Sequence, residues 1–235
     1  SASSDTTFPD KLISYFSILS MLTRQLINIP VHLGLDHLPN IYCGVAVFVL
    51  LPLYIMCSKV NAREKIGKCV ILLIFLTAFN LNIPNYIWHG MHFPNSLPCR
   101  QSFIYIFFLL AMCYEAVINL KNSTNRQLGA SLWIAIGLLL IMEELFINSE
   151  TEYSFKSVYI SGIFILIYGL LMFIHNNAKF KIPVVLMLTF SVSIIECTMN
   201  MDATGIGTTS RTSYLLDYDA VKTVTKTVSD NDTSF

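Results

Sequence analysis

The residues best suited to chemistry lie in one polar tract between two apolar segments. His89, His92 and Arg100 fall within twelve residues of each other, with Asn95 between them. Two imidazoles and a guanidinium suit an anionic group such as a lipid phosphate or diphosphate, which a guanidinium binds through paired hydrogen bonds. Arg100 is also expected at the start of a helix, where free N–H groups favour an anion. Alternatively, Arg100 extends to the membrane interface and the histidines cap backbone groups.

Acidic residues inside apolar segments are the second candidate group. An ionisable side chain costs at least about 2.5 kcal/mol at the centre of a membrane span, so it usually faces a bundle interior or a wet cavity. Glu196 has apolar neighbours on both sides and is the strongest candidate to line such a cavity. A cavity open to the outer face would bring it together with Arg100. Glu143 and Glu144 fit hydrated interfacial positions equally well, and Glu115 fits an ion pair within the bundle.

The cysteines carry no metal signature. They stand at positions 43, 57, 69, 99, 113 and 197, without a CxxC pair or a Cys/His spacing typical of a metal site. A divalent ion near Glu196 has no supporting ligand spacing either, so no cofactor is expected. Cys43, Cys99 and Cys197 are all expected near the outer face. One disulfide there is an alternative to the simpler interpretation that the cysteines fill space between helices.

The amino-acid composition indicates the environment in which these residues lie. The chain has 235 residues, of which 54% are hydrophobic and 13% charged, and its mean hydropathy is +0.60. Soluble domains carry about 25% charged residues. Fifteen basic and fifteen acidic residues balance, which excludes nucleic-acid binding through bulk charge. The composition therefore predicts an all-α membrane protein with the lipid bilayer as partner and no nucleic acid.

Six segments approach or reach the roughly 20 apolar residues that cross a bilayer. Residues 38–58, 69–88 and 157–174 are free of charge, whereas 101–120, 127–149 and 182–200 each carry one or two acids. We therefore expect a six-span transmembrane bundle over 38–199, with a kink at Pro52 in the first span.

The distribution of basic residues predicts the orientation. Eight Lys and Arg lie in the segments 59–68, 121–126 and 175–181, against two in the alternating segments 89–100 and 149–156. Cytoplasmic loops carry the excess of Lys and Arg. Both ends of the chain are therefore expected to be extracytoplasmic.

Two flanking regions differ in character from the bundle. In 1–37, apolar residues recur at helical spacing from 8 to 29, which predicts an extracytoplasmic interfacial helix, with an eroded seventh span as the alternative. In 200–235, a small polar segment is followed by Asp217 and Asp219, which could cap a helix bearing Val221, Val224 and Val228. This region is expected to lead into an absent extracytoplasmic domain. Because the chain starts at Ser1 without a signal peptide, we expect a piece of a longer protein.

The polar tract also carries a family resemblance. The sequence WHGMHFPNSLPCRQSF over 88–103 closely resembles the tract "WHG-hydrophobic-HFPN-x-LP-x-R-x-SF" of the bacterial YfhO membrane-protein family. The sequences PNIYCG at 39–44, TSRTSY at 209–214 and DTSF at 232–235 are similar to that family in the same order. The likeness extends from about residue 10 to the end of the chain.

The resemblance implies a multi-pass protein of the bacterial cell membrane similar to GT-C glycosyltransferases. Such a protein would transfer sugar from a polyprenyl-phosphate donor to a cell-envelope polymer such as teichoic acid outside the cell. The catalytic acid of that class usually lies in a first external loop, expected to lie outside this chain, so no catalytic residue is assigned. His89, His92, Asn95 and Arg100 match the family tract, and contact with the lipid headgroup is their hypothetical role, which Glu196 could share.

Two other classes of function remain open. A transporter or flippase of lipid-linked sugars could use the same cavity, but it should show broken helices near the midplane and related halves. The sequence shows no inverted repeat, and Pro52 is the strong internal break within the charge-free spans. A non-catalytic membrane scaffold would tolerate replacement of Arg100 and the outer acids without consequences beyond stability.

Overall fold

The computed structural model describes residues 7–31, 38–94, 99–147, 155–177, 182–204 and 218–231. Within these ranges the regular structure is helical, apart from one isolated β-bridge. The helices are α1 (Ile18–Thr23), α2 (Val47–Met56), α3 (Ala62–Asn80), α4 (Asn82–Trp88), α5 (Ser102–Ile118), α6 (Asn125–Ile147), α7 (Phe155–Asn176), α8 (Ile182–Thr204) and α9 (Tyr218–Asn231), with a short 3₁₀ turn at Leu120–Asn122. The chain divides into two compact units, 1–204 and 205–235.

Helix α2 is the central element of the first unit. It packs against α5, α6 and α7, while α6 packs on α7 and α7 on α8. Two apolar clusters flank it: one contains Phe48, Ala135 and Ile165, and the other contains Tyr54 and Phe79. Because α2 contributes to both clusters, it joins the two sides of the bundle.

Three helices are long and apolar enough to cross a membrane. These candidate spans are Asn125–Leu145, Phe155–Asn176 and Ile182–Met201, identified by length and composition. They agree with the predicted spans 127–149, 157–174 and 182–200. Helix α5 has 17 residues and counts among the shorter apolar helices, as does α2. The structure therefore supports a helical membrane protein with three candidate spans, and the predicted number of six is not confirmed.

The first predicted span is not one helix. Of residues 38–58, the structure makes helix only over the ten residues Val47–Met56, with Pro52 inside it. Gly44 has φ of 98°, a left-handed conformation that glycine adopts without steric cost. This turn interrupts the chain just before α2, so the prediction of a continuous 21-residue helix is wrong.

The predicted span 69–88 is also divided. Helix α3 ends at Asn80, Leu81 is extended with φ −105° and ψ 135°, and α4 begins at Asn82. The side chains of Asn80 and Asn82 accept hydrogen bonds from the backbone N–H groups of Phe16 at 3.0 Å and Ile13 at 2.8 Å. Two buried amides thus bind a crossing segment of backbone at the point where the helix breaks.

The same contacts explain why the amino-terminal region is not the long helix predicted over 8–29. Residues 13–16 are extended across the break, with an antiparallel bridge between Ser14 and Leu81. Tyr15 donates its N–H to the carbonyl of Asn80 at 2.9 Å. The helix is limited to Ile18–Thr23, so the prediction of helix over 8–29 is wrong. The periodic apolar residues of this segment therefore do not form one helix, and residues 13–16 instead cross the α3–α4 break in an extended conformation.

The second unit contains α9, Tyr218–Asn231. This confirms the helix predicted after the small polar segment. Val221 and Val224 are exposed on it. The proposed capping residue Asp217 lies outside the described residues.

Candidate functional site

The carboxylate of Glu196 is buried at the centre of the first unit. Its residue is 3% exposed, and Oε1 accepts hydrogen bonds from the hydroxyl of Tyr42 at 2.6 Å and the N–H of Val45 at 2.7 Å. Oε2 accepts a hydrogen bond from the hydroxyl of Tyr168 at 2.6 Å. All three partners are neutral hydrogen-bond donors.

Three segments of the chain position these groups. The left-handed turn at Gly44 exposes the N–H of Val45 ahead of α2, and a Cβ atom on Gly44 would lie 3.8 Å from Oε1 of Glu196. Helix α7 supplies Tyr168, and α8 supplies Glu196 together with Ser193 one turn earlier. The hydroxyls of Ser193 and Tyr168 are 3.1 Å apart, so the hydrogen-bonded group continues from α7 to α8.

Glu196 lines a cavity of about 470 Å³. The described residues that line it are Tyr42, Cys43, Gly44, Ala46, Leu110, Tyr168, Ser193, Glu196, Cys197, Asn200 and Met201. A second cavity of about 250 Å³ shares Ala46, Tyr168 and Ser193 with the first, and its other lining residues are mainly apolar. The two cavities therefore adjoin and differ in polarity.

The polar tract of the sequence forms a separate group, called the outer group here after its predicted extracytoplasmic side. His89 Nδ1 lies 2.9 Å from the carbonyl oxygen of Asn85, so this imidazole pairs with the last turn of α4. The rings of His89 and His92 are 6.4 Å apart between centroids and nearly perpendicular. Arg100 is exposed two residues before α5. Asn95 lies outside the described residues.

The structure does not bring this outer group into the cavity of Glu196. Neither histidine nor Arg100 is among the described residues that line that cavity. The structure thus shows two neighbouring histidines and one exposed arginine, and separately a buried carboxylate.

The other acidic candidates occupy different surroundings. Glu115 pairs with Lys68 of α3, which also contacts Glu64 at 2.6 Å. This fits the ion pair within the bundle that was one interpretation of Glu115. Glu143 accepts a hydrogen bond from the hydroxyl of Tyr159 at 2.9 Å, and Glu144 is exposed. Neither residue is among the described residues that line the cavity of Glu196.

Sequence analysis missed the residues that hold Glu196. Tyr42 and Gly44 lie within the PNIYCG sequence, which was noted only as the opening of a span. Arg24, which sequence analysis did not single out, is 3% exposed and donates to the carbonyl of Pro30 at 2.8 Å and to Asn40 Oδ1 at 2.5 Å. The combination of asparagine, tyrosine and glycine in PNIYCG could have indicated a structured turn at residues 39–44. The contact between Tyr168 and Glu196 has no sequence signal.

The described residues offer no ready metal site. They contain no group of three or more His, Cys, Asp or Glu side chains that could hold an ion. The six cysteines are free thiols, including Cys43, Cys99 and Cys197, which sequence analysis considered for a disulfide. Burial raises the pKa of Cys99, in the outer segment, to about 12.

These observations define a helical membrane protein whose bundle encloses a buried carboxylate. A family model described as bacterial membrane protein YfhO matches residues 2–235. The chain therefore belongs to the YfhO family. Searches of curated proteins and of solved structures found no match.

Proposed function

We propose that the chain is part of a GT-C-like glycosyltransferase. It transfers sugar from a polyprenyl-phosphate donor to a cell-envelope polymer such as teichoic acid on the outer side of the bacterial membrane. In this proposal the bundle is multi-pass, both ends of the chain are extracytoplasmic, and no cofactor takes part. Membership of the YfhO family and the apolar helices support the location, and the proposed reaction is the one that the sequence resemblance implies.

The observation that carries the proposal is the position of Arg100 beside the start of α5. Its side chain is exposed, and Gln101 at the N-cap makes no side-chain hydrogen bond to the helix. The N–H groups of Ser102 and Ile104 already donate to the carbonyls of Cys99 and Gln101, but the partial positive charge of the helix amino terminus favours a phosphate beside it. We assign the donor phosphate to Arg100 and His92, with His89 and Asn95 as further contacts in the same family tract.

The test is the sugar content of teichoic acid in a deletion strain that carries the full-length gene. Arg100→Ala should lower the content by about tenfold or more, because a charge-assisted contact to phosphate is lost. Arg100→Lys should also lower it, because the charge remains but the paired hydrogen bonds do not.

Arg126→Ala is the matched control, since Arg126 is also exposed but lies in the first turn of α6, on the predicted cytoplasmic side. It should leave the sugar content unchanged. Normal decoration in the Arg100→Ala strain at normal protein levels would contradict the assignment of Arg100. Normal decoration in the deletion strain itself would contradict the proposed reaction.

One observation favours a transporter or flippase of lipid-linked sugars as the second candidate. The first predicted span is broken at Gly44, and the N–H of Val45 at the break binds the carboxylate of Glu196. Transporters use broken helices to build binding sites within the bilayer. Reconstituted vesicles would decide: flipping of a fluorescent lipid-linked sugar without any transfer to an acceptor would favour transport over catalysis.

A further inference from the structure

We propose that the two adjoining cavities between α5 and α8 bind a lipid with a neutral, hydroxyl-rich head. The head contacts Glu196, and the apolar chain occupies the smaller cavity. This site goes beyond the proposed function, because it is separate from Arg100 and its ligand differs from the anionic sugar donor.

The shape of the cavities fits an amphiphile. The larger cavity has polar groups on Tyr42, Ser193, Glu196 and Asn200. The smaller one is lined mainly by apolar residues, namely Ala46, Leu50, Val117, Leu120, Leu171, Met172, Val185 and Leu186, with Tyr168, His175, Thr189 and Ser193. Both linings are mainly apolar, and the polar groups that the larger cavity contains fit a head while the smaller one fits a chain of the same molecule.

The rim of the cavities is open to lipid. Leu110 and Val117 of α5 are 44% and 46% exposed, and Leu186 and Met201 of α8 are 57% and 66% exposed. In a bilayer, such exposed apolar side chains face hydrocarbon. A lipid can therefore enter sideways between the two helices without leaving the membrane.

The residues at the polar end select the head. Each hydrogen-bond partner of Glu196 in the described structure is neutral, and no Lys or Arg is among the described residues that line the larger cavity. A phosphate there would be buried without a cationic partner, which is costly in a medium of low dielectric. The cavity thus disfavours the anionic heads that an arginine would attract.

The remaining hydrogen-bonding capacity suits hydroxyl groups. Oε1 of Glu196 already accepts two hydrogen bonds, whereas Oε2 accepts one, so Oε2 can accept another. Ser193 lines the same cavity, and its hydroxyl can both donate and accept. A sugar or other polyol supplies donors and acceptors together, as these groups require. A quaternary ammonium head would make none of these hydrogen bonds.

The experiment is photolabelling of the full-length protein in phosphatidylglycerol nanodiscs. The probe is an alkyl β-glucoside with a diazirine in its chain, and labelled peptides are mapped by mass spectrometry. We expect labels on the α5 and α8 peptides that contain Val117 and Leu186. Excess octyl β-glucoside should remove them, whereas octyl phosphate and octyltrimethylammonium should not.

Two variants locate the ligand. Glu196→Gln should reduce labelling by about tenfold, because the amide cannot accept the same set of hydrogen bonds. Thr189→Trp should abolish labelling by filling the smaller cavity, which Thr189 lines. Thr198→Trp is its matched control, since Thr198 lies on the same helix but is exposed and outside both linings.

Three results would overturn the proposal. They are labels elsewhere than α5 and α8, equal labelling of the Thr189→Trp and Thr198→Trp proteins, and equal competition by the phosphate or ammonium amphiphile. Because the Trp pair tests the cavity independently, the conclusion stands even if Glu196→Gln fails to fold. The labelling requires no sugar transfer, so its outcome is distinct from the outcome for teichoic acid.

Discussion

The backbone N–H of Val45 donates to Oε1 of Glu196 at 2.7 Å, although 151 residues separate the two along the chain. The bond joins the start of a short central helix to the penultimate described helix. A carboxylate at this position interacts favourably with the partial positive charge of the α2 amino terminus. Glu196 therefore has a structural role in addition to any role in ligand binding.

Removal of one donor from this carboxylate should destabilise the bundle. Tyr168→Phe deletes the hydroxyl bonded to Oε2, and we expect a loss of about 1.5–3 kcal/mol, the typical contribution of a hydrogen bond to a charged group. Thermal unfolding of the purified full-length protein in detergent measures the effect.

Tyr159→Phe is the matched control for that experiment. Tyr159 also donates to a glutamate, Glu143, but its side chain is exposed and water can replace it. No measurable change is expected. Equal shifts for both variants would show that burial of Glu196 has no energetic importance.

The turn before α2 should depend on glycine. Ala at position 44 must adopt φ near 98°, so Gly44→Ala should cost about 1–2 kcal/mol. Gly137→Ala is the control: Gly137 lies within α6, a Cβ atom there meets nothing within 4 Å, and the exchange should be neutral or stabilising. Both are compared by thermal unfolding. An unchanged stability of Gly44→Ala would mean that the left-handed turn is not formed.

The ion pairs of Lys68 should differ in strength. Glu115 is 29% exposed and Glu64 is 48% exposed, and Lys68 also lies over the ring of Tyr54 at 5.6 Å. A double-mutant cycle with Lys68→Met and Glu115→Gln should give a coupling of about 1 kcal/mol, against about 0.3–0.5 kcal/mol for the cycle with Glu64→Gln. The reverse order would contradict the interhelical contact between α3 and α5.

The thiol of Cys99 should react slowly with maleimide. Burial raises its pKa from the usual 9 to about 12, so the reactive thiolate is scarce at neutral pH. Its labelling rate should still rise about tenfold per pH unit between pH 8 and 10, where an ordinary thiol levels off. The comparison uses two proteins with a single cysteine each. One retains Cys99 alone, and the other carries Lys11→Cys with all native cysteines replaced; position 11 is exposed and supplies the ordinary thiol. Matching profiles would contradict the burial of Cys99.

Sequence patterns predicted the long apolar helices well and the breaks poorly. The helices α6, α7 and α8 follow from uninterrupted apolar length. The breaks at Gly44 and Leu81 depend on contacts with distant segments, Glu196 in one case and residues 13–16 in the other. The mean hydropathy over a sequence window contains no information about such distant contacts. For this reason the charge-free segments 38–58 and 69–88 were predicted wrongly, whereas the charge-free segment 157–174 forms α7 as predicted.

The site was predictable only in part. Glu196 stood out because a carboxylate in an apolar segment is costly unless other groups compensate it. Its donors Tyr42 and Tyr168 are amphipathic residues that are common near membrane interfaces, so neither was distinctive. Their role follows from the packing of α7 and α8 against the chain before α2, which is a property of the fold and not of any one segment.

The asparagines at the α3–α4 break have a consequence for biosynthesis. Asn80 and Asn82 receive their backbone partners from residues 13–16, which leave the ribosome earlier. Glu196, by contrast, is synthesised after Val45, so the backbone N–H of Val45 has no carboxylate acceptor until α8 has been translated. Residues 13–16 can thus pair with Asn80 and Asn82 before α8 is made, whereas the hydrogen bond between Val45 and Glu196 can form only afterwards. Chains whose synthesis stops before α8 lack the carboxylate that accepts from Val45. We therefore expect membrane quality control to recognise them as incompletely folded.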